Sequence, residues 1–357
     1  MIRQYLLLIS LSVAFTHVFA QKLRVEPIID LSCTAVKSQD KTGTCWSFST
    51  VSFLESEMKR MGFNEMDLSE MYFVRFIYFD KAQNYVLRQG KANFSQGSLS
   101  HDVINVVKKH GIMTEEYYPG RVNNDPYNHD QLEEELKTYL DQVIANKERG
   151  PYWMTNVNKI LDKHLGALPR GIIGKNLSQA NGLIPRDYIS FTSFKHHPYH
   201  SKFILEIPDN YSNGSYFNVP LADLRKIVDH ALESGYTVAW DGDVSEKGFK
   251  AKEGYALLAP ESSDGMWSMD FVESRVSDAV RQTEFFTYKT TDDHLMHIVG
   301  KVKGNDGTNY YKVKNSWGSI GPFDGFLYMS EAYFDMKTVG ILVHKSAVPE
   351  DVKASFE

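Results

Sequence analysis

The order of the periodic segments is the feature of this 357-residue sequence that most constrains its fold. Apolar residues recur at a helical period in the first half, whereas the alternation typical of β-strands dominates after Gly235. The predicted helices are 45–61, 69–82, 98–110, 131–147, 156–165 and 221–234. Strand-like alternation begins at 186–206, and the predicted strands after Gly235 are 236–240, 297–302, 310–314 and 325–329. Helices and strands that are segregated along a chain predict an α+β fold with two lobes.

The same pattern divides the chain into four segments. We expect a helical lobe over about 36–120, a helical insertion over about 121–185, a β-rich lobe over about 186–345 and a tail over 346–357. The helices of the insertion carry many charged residues, which is typical of helices with one face in solvent.

Composition excludes several classes of protein. Hydrophobic residues make up 42% of the chain and charged residues 24%, as in soluble globular proteins, so the chain is not disordered, collagen-like or a polytopic membrane protein. The net charge is −6 and no basic block is present, which argues against a nucleic-acid partner because phosphate contacts need clustered Lys and Arg.

The N-terminus reads as a signal peptide. Arg3 precedes an apolar stretch over residues 5–15, and small residues, Val18 and Ala20, stand at the positions that a signal peptidase requires. The stretch is shorter than the roughly 20 residues of a spanning helix, which disfavours an uncleaved anchor. The sequence therefore predicts cleavage after Ala20, a mature domain over 21–357 that does not stay inserted in a membrane, and a secreted or periplasmic location.

A candidate nucleophile lies at the start of the first helix. Cys45 follows a turn that contains Gly43, and the unpaired N–H groups of a helix start stabilise a thiolate, so we expect a lowered pKa. Gln39 lies six residues earlier and supplies a side-chain N–H for an oxyanion. The competing interpretation is an inert buried thiol packed against Trp46 and Phe48.

A candidate base and its partner lie far along the chain. His294 precedes the predicted strand 297–302, and Asn315 ends the next strand, so a hairpin brings the two side chains together. An Asn carbonyl orients an imidazole by accepting a hydrogen bond from one ring nitrogen. Trp317 follows closely and is expected to cover that pair. His297 is expected to face away from Cys45 because residues i and i+3 of a strand point to opposite faces.

These motifs together resemble the papain-type cysteine proteases. The resemblance rests on Gln39, on the run from Gly43 to Phe48, on Asp293-His294-Leu295-Met296 and on Asn315-Ser316-Trp317-Gly318. Two departures stand out: Thr42 replaces the first Cys of the family signature, and His294 lies 249 residues after Cys45 instead of about 130–150.

Both departures are similar to the bleomycin hydrolase and aminopeptidase C branch, also called peptidase family C1B. Further segments resemble that branch at 68–73, 96–112, 218–221 and 240–244. The resemblance implies a two-lobe papain-like fold with an antiparallel, β-barrel-like second lobe, peptide substrates and a homo-oligomer. It implies catalytic roles for Cys45, His294, Asn315 and Gln39, and substrate contacts from Gln96, Gly97, Trp46 and Trp317.

The tail departs from that branch. Its members end in an arm that enters the cleft and restricts it to peptide N-termini, whereas residues 348–357 do not match this arm. We therefore expect a more open cleft with some endopeptidase activity. The tail is acidic, so selection of a substrate ammonium by the tail is the alternative.

The sequence predicts neither a cofactor nor a metal. Asp293, His294 and His297 lack a further residue with ligand spacing, and Cys33 is interpreted as a free, packed thiol. The most complete hypothesis is an exported cysteine peptidase. Two alternatives stay open: a non-catalytic peptide-binding protein on the same fold, and an amidase that passes the acyl group to an amine with the same residues.

Overall fold

The fold was analysed in a computed structural model of the chain. The described residues are 24–123, 125–146, 150, 152–171, 174–259, 273 and 275–355. The predicted signal peptide, residues 1–20, lies outside them. Among the described residues, no helix has the length and apolar character needed to cross a membrane.

Three helices build the first lobe. They are α1 (Cys45–Arg60), α2 (Glu70–Leu87) and α3 (Ser100–His110), close to the predicted ranges. The hydroxyl of Ser69 accepts a hydrogen bond from the Tyr72 N–H and so caps α2, while Gly111 ends α3 in the left-handed region at φ 84°. Helix α1 is buried along most of its length, because it lies between the other helices and the sheet.

The predicted helical insertion contains α4 (Asp130–Ala145), α5 (Trp153–Leu165) and α6 (Gly174–Ala180). Helix α4 buries Leu132, Leu136 and Leu140 at a four-residue spacing and exposes most of its charged residues. The sequence predicted α4 and α5 within a few residues. It missed α6, a seven-residue helix.

The second lobe is built on one large sheet. Its strands are β1 (Val25–Asp30), β2 (Tyr188–Thr192), β3 (Ser201–Ile204), β4 (Ser215–Asn218), β5 (Val238–Gly242), β6 (Phe249–Lys250), β7 (Tyr255–Ala256), β8 (His294–Gly304), β9 (Asn309–Lys314), β10 (Phe326–Ser330) and β11 (Thr338–His344). Their order is β3-β4-β2-β11-β5-β8-β9-β10-β7-β6, and β1 pairs with β8. The pairs β2–β4 and β7–β10 are parallel, so the sheet is mixed and not purely antiparallel as expected.

The helices that follow α6 are α7 (Leu221–Glu233), α8 (Asp278–Phe286), α9 (Glu331–Lys337) and α10 (Glu350–Lys353). The sequence predicted only α7 among them. Strands β8 and β5 separate two hydrophobic cores: Leu295 and Ala239 lie in the core that contains α1, whereas Met296 and Trp240 lie in the core that contains α7. The two sets alternate along each strand, as residues on opposite faces of a sheet do.

The described part of the tail lies on the α7 side of the sheet. Val352 of α10 is buried in the core that contains α7, and Lys226 of α7 forms an ion pair with Asp351. The imidazole Nδ1 of His230 lies 2.8 Å from the carbonyl of Ala347. Cys45 belongs to the core on the other face, so these contacts hold α10 away from the candidate nucleophile.

Candidate active site

Cys45 occupies the first position of α1 and is 8% exposed. The turn before it is held by hydrogen bonds: the hydroxyl of Thr42 donates to the carbonyl of Gln39 at 2.7 Å and lies 2.6 Å from the hydroxyl of Thr44. Thr42 thus ties this turn together where the family signature has a Cys. The backbone of Leu295 on β8 hydrogen-bonds to the Cys45 thiol, which brings the thiol beside the residue that follows His294.

His294 and Asn315 form the predicted pair. Nε2 of His294 lies 2.8 Å from Oδ1 of Asn315, and that oxygen also accepts a hydrogen bond from the Ser316 N–H at 2.7 Å. Because a carbonyl oxygen only accepts, Nε2 carries the proton and Nδ1 is left as an acceptor. Trp317 covers the imidazole with ring centroids 4.8 Å apart and is 36% exposed, as expected of a residue at the cleft surface.

A backbone connection between the lobes places the oxyanion candidate. The N–H of Gln39 donates to the carbonyl of Ser316 at 2.8 Å, and the N–H of Gly318 donates to the carbonyl of Lys37 at 3.1 Å. The Gln39 side chain is buried; its oxygen accepts from the Ser316 hydroxyl and its Nε2 donates to the carbonyl of Thr42, both at 2.6 Å. An amide nitrogen has two N–H bonds, so one remains for an incoming oxyanion.

Burial keeps the thiol and the imidazole neutral. Burial raises the pKa of Cys45 to about 12; the Leu295 backbone opposes this shift, and Asp292, Asp209 and Asp241 reinforce it. Burial likewise lowers the pKa of His294 to about 4, although the hydrogen bond to Asn315 opposes it. The lowered thiol pKa that the helix start predicted is therefore wrong, because desolvation and nearby carboxylates outweigh the helix terminus.

One of the predicted substrate contacts, Trp46, is corrected, and a second, Gln96, has a structural role. Trp46 is 1% exposed, and its indole N–H donates to the carbonyl of Gln96 at 2.9 Å, so its ring packs inside the lobe and does not reach a peptide. The side-chain oxygen of Gln96 accepts from the Gly43 N–H at 2.7 Å. Gln96 therefore supports the nucleophile turn, and both its backbone and side-chain oxygens are already engaged.

Gly97 lies under a loop that the sequence did not single out, residues 205–214, which we call the covering loop. A carboxylate oxygen of Asp209 lies 1.8 Å from the position that a Cβ atom on residue 97 would occupy, so only Gly allows this approach. Asn93 donates to Asp209 at 3.1 Å, and Asn84 donates to the carbonyl of Tyr211 at 3.5 Å. The covering loop thus lies directly against Gly97, a residue that the resemblance assigned to substrate contact.

The sequence also missed two carboxylates near the thiol, Asp241 and Asp292. Asp241 pairs with Leu295 across β5 and β8 and is 3% exposed. The sequence signal was Asp241 itself, an acidic residue at the end of the otherwise apolar stretch 238–241, because acidic residues are rarely fully buried unless they are paired.

His297 and the possible metal ligands lie elsewhere. Nδ1 of His297 lies 2.9 Å from the hydroxyl of Ser52 on α1, so its side chain faces the helix that carries Cys45 and not away from it as expected. Ser52 is seven residues, or about 10 Å, along α1 from Cys45. A group of metal-ligand type is formed by His196, His197 and Glu206, whose ligand atoms lie within 4.8 Å of one another. The two imidazoles already pair with the Glu206 carboxylate at 3.2 and 2.7 Å.

Cys33 is a free thiol, as predicted, and is half-buried. Burial raises its pKa, while Lys314 and Lys312 oppose that shift. With Cys45 also free, both thiols of the chain are unpaired, and Cys45 remains available for chemistry.

Comparison with known families agrees with this geometry. The model of the Peptidase C1-like family matches residues 179–357, half of the chain, and the model of the Papain family cysteine protease matches residues 28–163. The chain belongs to the Peptidase C1-like family. It is a cysteine peptidase, and the resemblance to the bleomycin hydrolase and aminopeptidase C branch is confirmed.

Relatives of this Peptidase C1-like protein include aminopeptidase C of Lactobacillus delbrueckii subsp. lactis, 24% identical over 92% of this chain and 83% of the relative. Human bleomycin hydrolase is 22% identical over 90% of this chain and 82% of its own length. The crystal structure of PepW from Lactobacillus rhamnosis superposes with a TM-score of 0.75, at 17% identity, over 92% of this chain and 84% of PepW. This superposition confirms the papain-like α+β fold.

Proposed function

We propose that this cysteine peptidase cleaves peptides through Cys45, His294, Asn315 and Gln39, and that it acts on peptide N-termini. The observation that supports the catalytic assignment is the hydrogen bond between His294 and Asn315, which leaves Nδ1 of His294 unprotonated. The next residue of the same strand, Leu295, contacts the Cys45 thiol through its backbone. The names of the relatives, aminopeptidase C among them, support the choice of an exopeptidase.

The proposed reaction begins with a neutral pair. As Sγ of Cys45 bonds to the scissile carbonyl carbon, its proton passes to Nδ1 of His294, and the carbonyl electrons move onto oxygen. The two new charges stabilise each other, which offsets the desolvation that disfavours each one alone. The second N–H of Gln39 donates to the oxyanion.

Collapse of this adduct breaks the C–N bond, and the amine leaves with the proton from His294. Water then attacks the thioester, gives a proton to Nδ1 and releases the acid product together with the Cys45 thiol. Asn315 holds the imidazole plane through both steps, and Trp317 shields the pair from bulk water. An amine in place of that water would give acyl transfer with the same residues.

The test is turnover of a peptide with a fluorogenic amide. Cys45→Ala is expected to abolish turnover and keep the wild-type circular dichroism spectrum, whereas Cys33→Ala serves as the matched control and is expected to keep at least half of the activity. Loss of turnover in Cys33→Ala but not in Cys45→Ala would reverse the assignment.

Export is also proposed. The support is the arrangement of Arg3, the apolar stretch over 5–15 and Ala20, together with the start of the first strand at Val25. Expression of the full chain with N-terminal sequencing is expected to give a protein that starts at Gln21 outside the cytoplasm. A mature protein that starts at Met1 would refute it.

A further inference from the structure

Three carboxylates on three different elements act electrostatically on the Cys45 thiol. Asp209 comes from the covering loop, Asp241 from β5 and Asp292 from the segment just before β8, and all three raise the pKa of the thiol. Lys81 is the cation of this region that acts on Asp209, but its ammonium already donates to the carbonyls of Ser95 and Gly97. The cluster therefore carries more negative charge than its surroundings balance.

Asp241 is the unusual member of this cluster. It is 3% exposed, and neither of its carboxylate oxygens accepts a hydrogen bond from an N–H or O–H of the described residues. Its carboxyl group lies against that of Asp292, whose Oδ2 is equally unpartnered. Burial and the contact with Asp292 raise the pKa of Asp241. Burial and Asp209 raise the pKa of Asp292 to about 7, although its hydrogen bond with Asp241 opposes that shift. Two adjacent buried acids without donors are short of one cation or one proton.

The position of the pair suits one particular cation. Asp241 pairs with Leu295 across the sheet, and the backbone of Leu295 contacts the thiol. In a peptide, the α-nitrogen of the first residue lies only about 2.5 Å from the carbonyl carbon of that residue, since two bonds separate them. When Cys45 attacks that carbonyl, the free α-ammonium group must lie in the immediate surroundings of the thiol.

The covering loop limits how far a substrate can extend beyond its α-nitrogen. Asp209 is fixed against Gly97 by the donor Asn93, and Asn210 closes the loop through hydrogen bonds to the carbonyls of Leu205 and Gly214 at 2.8 and 2.9 Å. A chain that continued past the α-nitrogen along Gly97 would meet this carboxylate. Asp292 is half-buried, so the Asp241–Asp292 pair reaches the protein surface at Asp292.

We propose that Asp241 and Asp292 form the subsite that binds the free α-ammonium group of a peptide substrate, with the covering loop closing the cleft behind it. This subsite rests on the proposed peptidase function and names its substrate class. An ammonium group supplies the missing positive charge and three N–H donors. Selection thus comes from side chains inside the cleft, while the described tail, α10, lies on the other face of the sheet.

The kinetic test compares one peptide with a free or an acetylated N-terminus. We expect wild-type kcat/KM to be about 100-fold higher for the free amine, since truncating a buried charge pair costs 2–5 kcal/mol. Asp241→Asn is expected to raise KM for the free-amine peptide about 30-fold and to change kcat less than about threefold, because the ammonium contact is made equally in the ground and transition states.

The matched control is Asp335→Asn, which removes a buried carboxylate, 4% exposed, from α9 and the α7 side of the sheet. It is expected to leave the preference for the free amine unchanged. A third peptide, acetylated but with Lys before the cleaved residue, distinguishes the source of the cation. Efficient cleavage of this peptide, lost in Asp241→Asn, would overturn the α-ammonium assignment in favour of a basic side chain.

A binding measurement separates this subsite from the catalytic assignment. In Cys45→Ser protein, calorimetry is expected to show the free-amine peptide binding at least ten times more tightly than the acetylated one, and Asp241→Asn in the same background is expected to remove the difference. Equal binding of the two peptides would overturn the subsite even if turnover is normal. Conversely, selective binding without turnover in the wild type would refute the catalytic proposal and keep the subsite.

Discussion

Asp241 and Asp243 are two residues apart at the end of β5 and are almost equally buried, at 3% and 1% exposed. In the turn beyond the strand, Asp243 accepts hydrogen bonds from the N–H and hydroxyl of Ser245 and from the N–H of Thr291, each at 2.8 Å. Asp241, inside β5, accepts none from the N–H and O–H groups of the described residues. A buried acid that is fully surrounded by donors stabilises a fold, whereas one left without donors points to a ligand.

The same contrast holds for two histidines on β8. His294 keeps Nδ1 as an acceptor, whereas His297 is 0% exposed, bonded to Ser52 and packed edge-on against Phe53. Burial and Lys314 lower the pKa of His297, so it stays neutral inside the core. In the proposed site, β8 thus contributes His294 and keeps His297 for the fold, and the end of β5 contributes Asp241 and keeps Asp243 for the fold.

The largest expected effect separates the two histidines. His294→Ala removes the proposed base and is expected to lower kcat by about 10³-fold or more, with wild-type thermal stability, as base removal does in comparable triads. His297→Ala is expected to keep kcat within about fivefold and to lower the melting temperature, because it leaves a cavity beside Phe53. Kinetics and melting curves of both variants measure this. The reverse pattern would exchange their roles.

A smaller effect is expected at the oxyanion candidate. Gln39→Ala removes the remaining N–H donor and is expected to lower kcat about 100-fold with little change in KM, because the developing negative charge is present only in the transition state. Gln39→Glu provides a control of similar shape that lacks the donor. If both variants keep the wild-type kcat, Gln39 serves only to connect the lobes.

Substitution of Asp241 and substitution of Asp243 are expected to change the free energy of unfolding in opposite directions, each by about 1–3 kcal/mol. Asp243→Ala leaves the N–H groups of Ser245 and Thr291 without an acceptor and is expected to destabilise the protein. Asp241→Asn removes an unpaired buried charge next to Asp292 and is expected to stabilise it. Urea unfolding at pH 7 measures both. Destabilisation by Asp241→Asn would show that Asp241 has a structural partner.

The smallest predicted effect is a change in the free energy of unfolding with pH. Asp292 has a pKa near 3.8 when unfolded and about 7 when folded, so its protonated form favours the folded state. Stability from this group is complete below about pH 4 and is lost as pH rises through about 7. Asp292→Asn is expected to reduce the loss of stability between pH 5 and pH 7.5. If the pH dependence of stability is unchanged in this variant, the Asp292 carboxyl is exposed to water in the folded protein.

Much of the fold and of the catalytic site followed from local sequence patterns. The long helices showed their period, and Cys45, His294 and Asn315 stand where a turn or a hairpin places them. The covering loop and the role of Asp241 did not follow, because both depend on contacts across the sheet and between lobes. The pKa of Cys45 was misjudged for the same reason: the helix start is local, but the burial and the three carboxylates are not.

The predicted substrate contacts also include residues that the sequence placed correctly and residues that it did not. Trp46 was assigned from its place beside the nucleophile, and Gln96 from the segment that resembles the C1B branch. In the structure Trp46 donates to the carbonyl of Gln96, and Gln96 accepts from the Gly43 N–H. Trp317 lies over His294 as expected, because it follows Asn315 on the same turn. Sequence distance from a motif therefore did not predict which side chains reach the cleft.

Alkylation by iodoacetamide, followed residue by residue with mass spectrometry, tests the central claim most directly. At pH 7 the loss of peptidase activity is expected to track alkylation of Cys45, with Cys33 modified much more slowly and with His294→Ala protein protected at Cys45, since His294 must take the thiol proton. Full activity in protein whose Cys45 is completely alkylated would contradict the account.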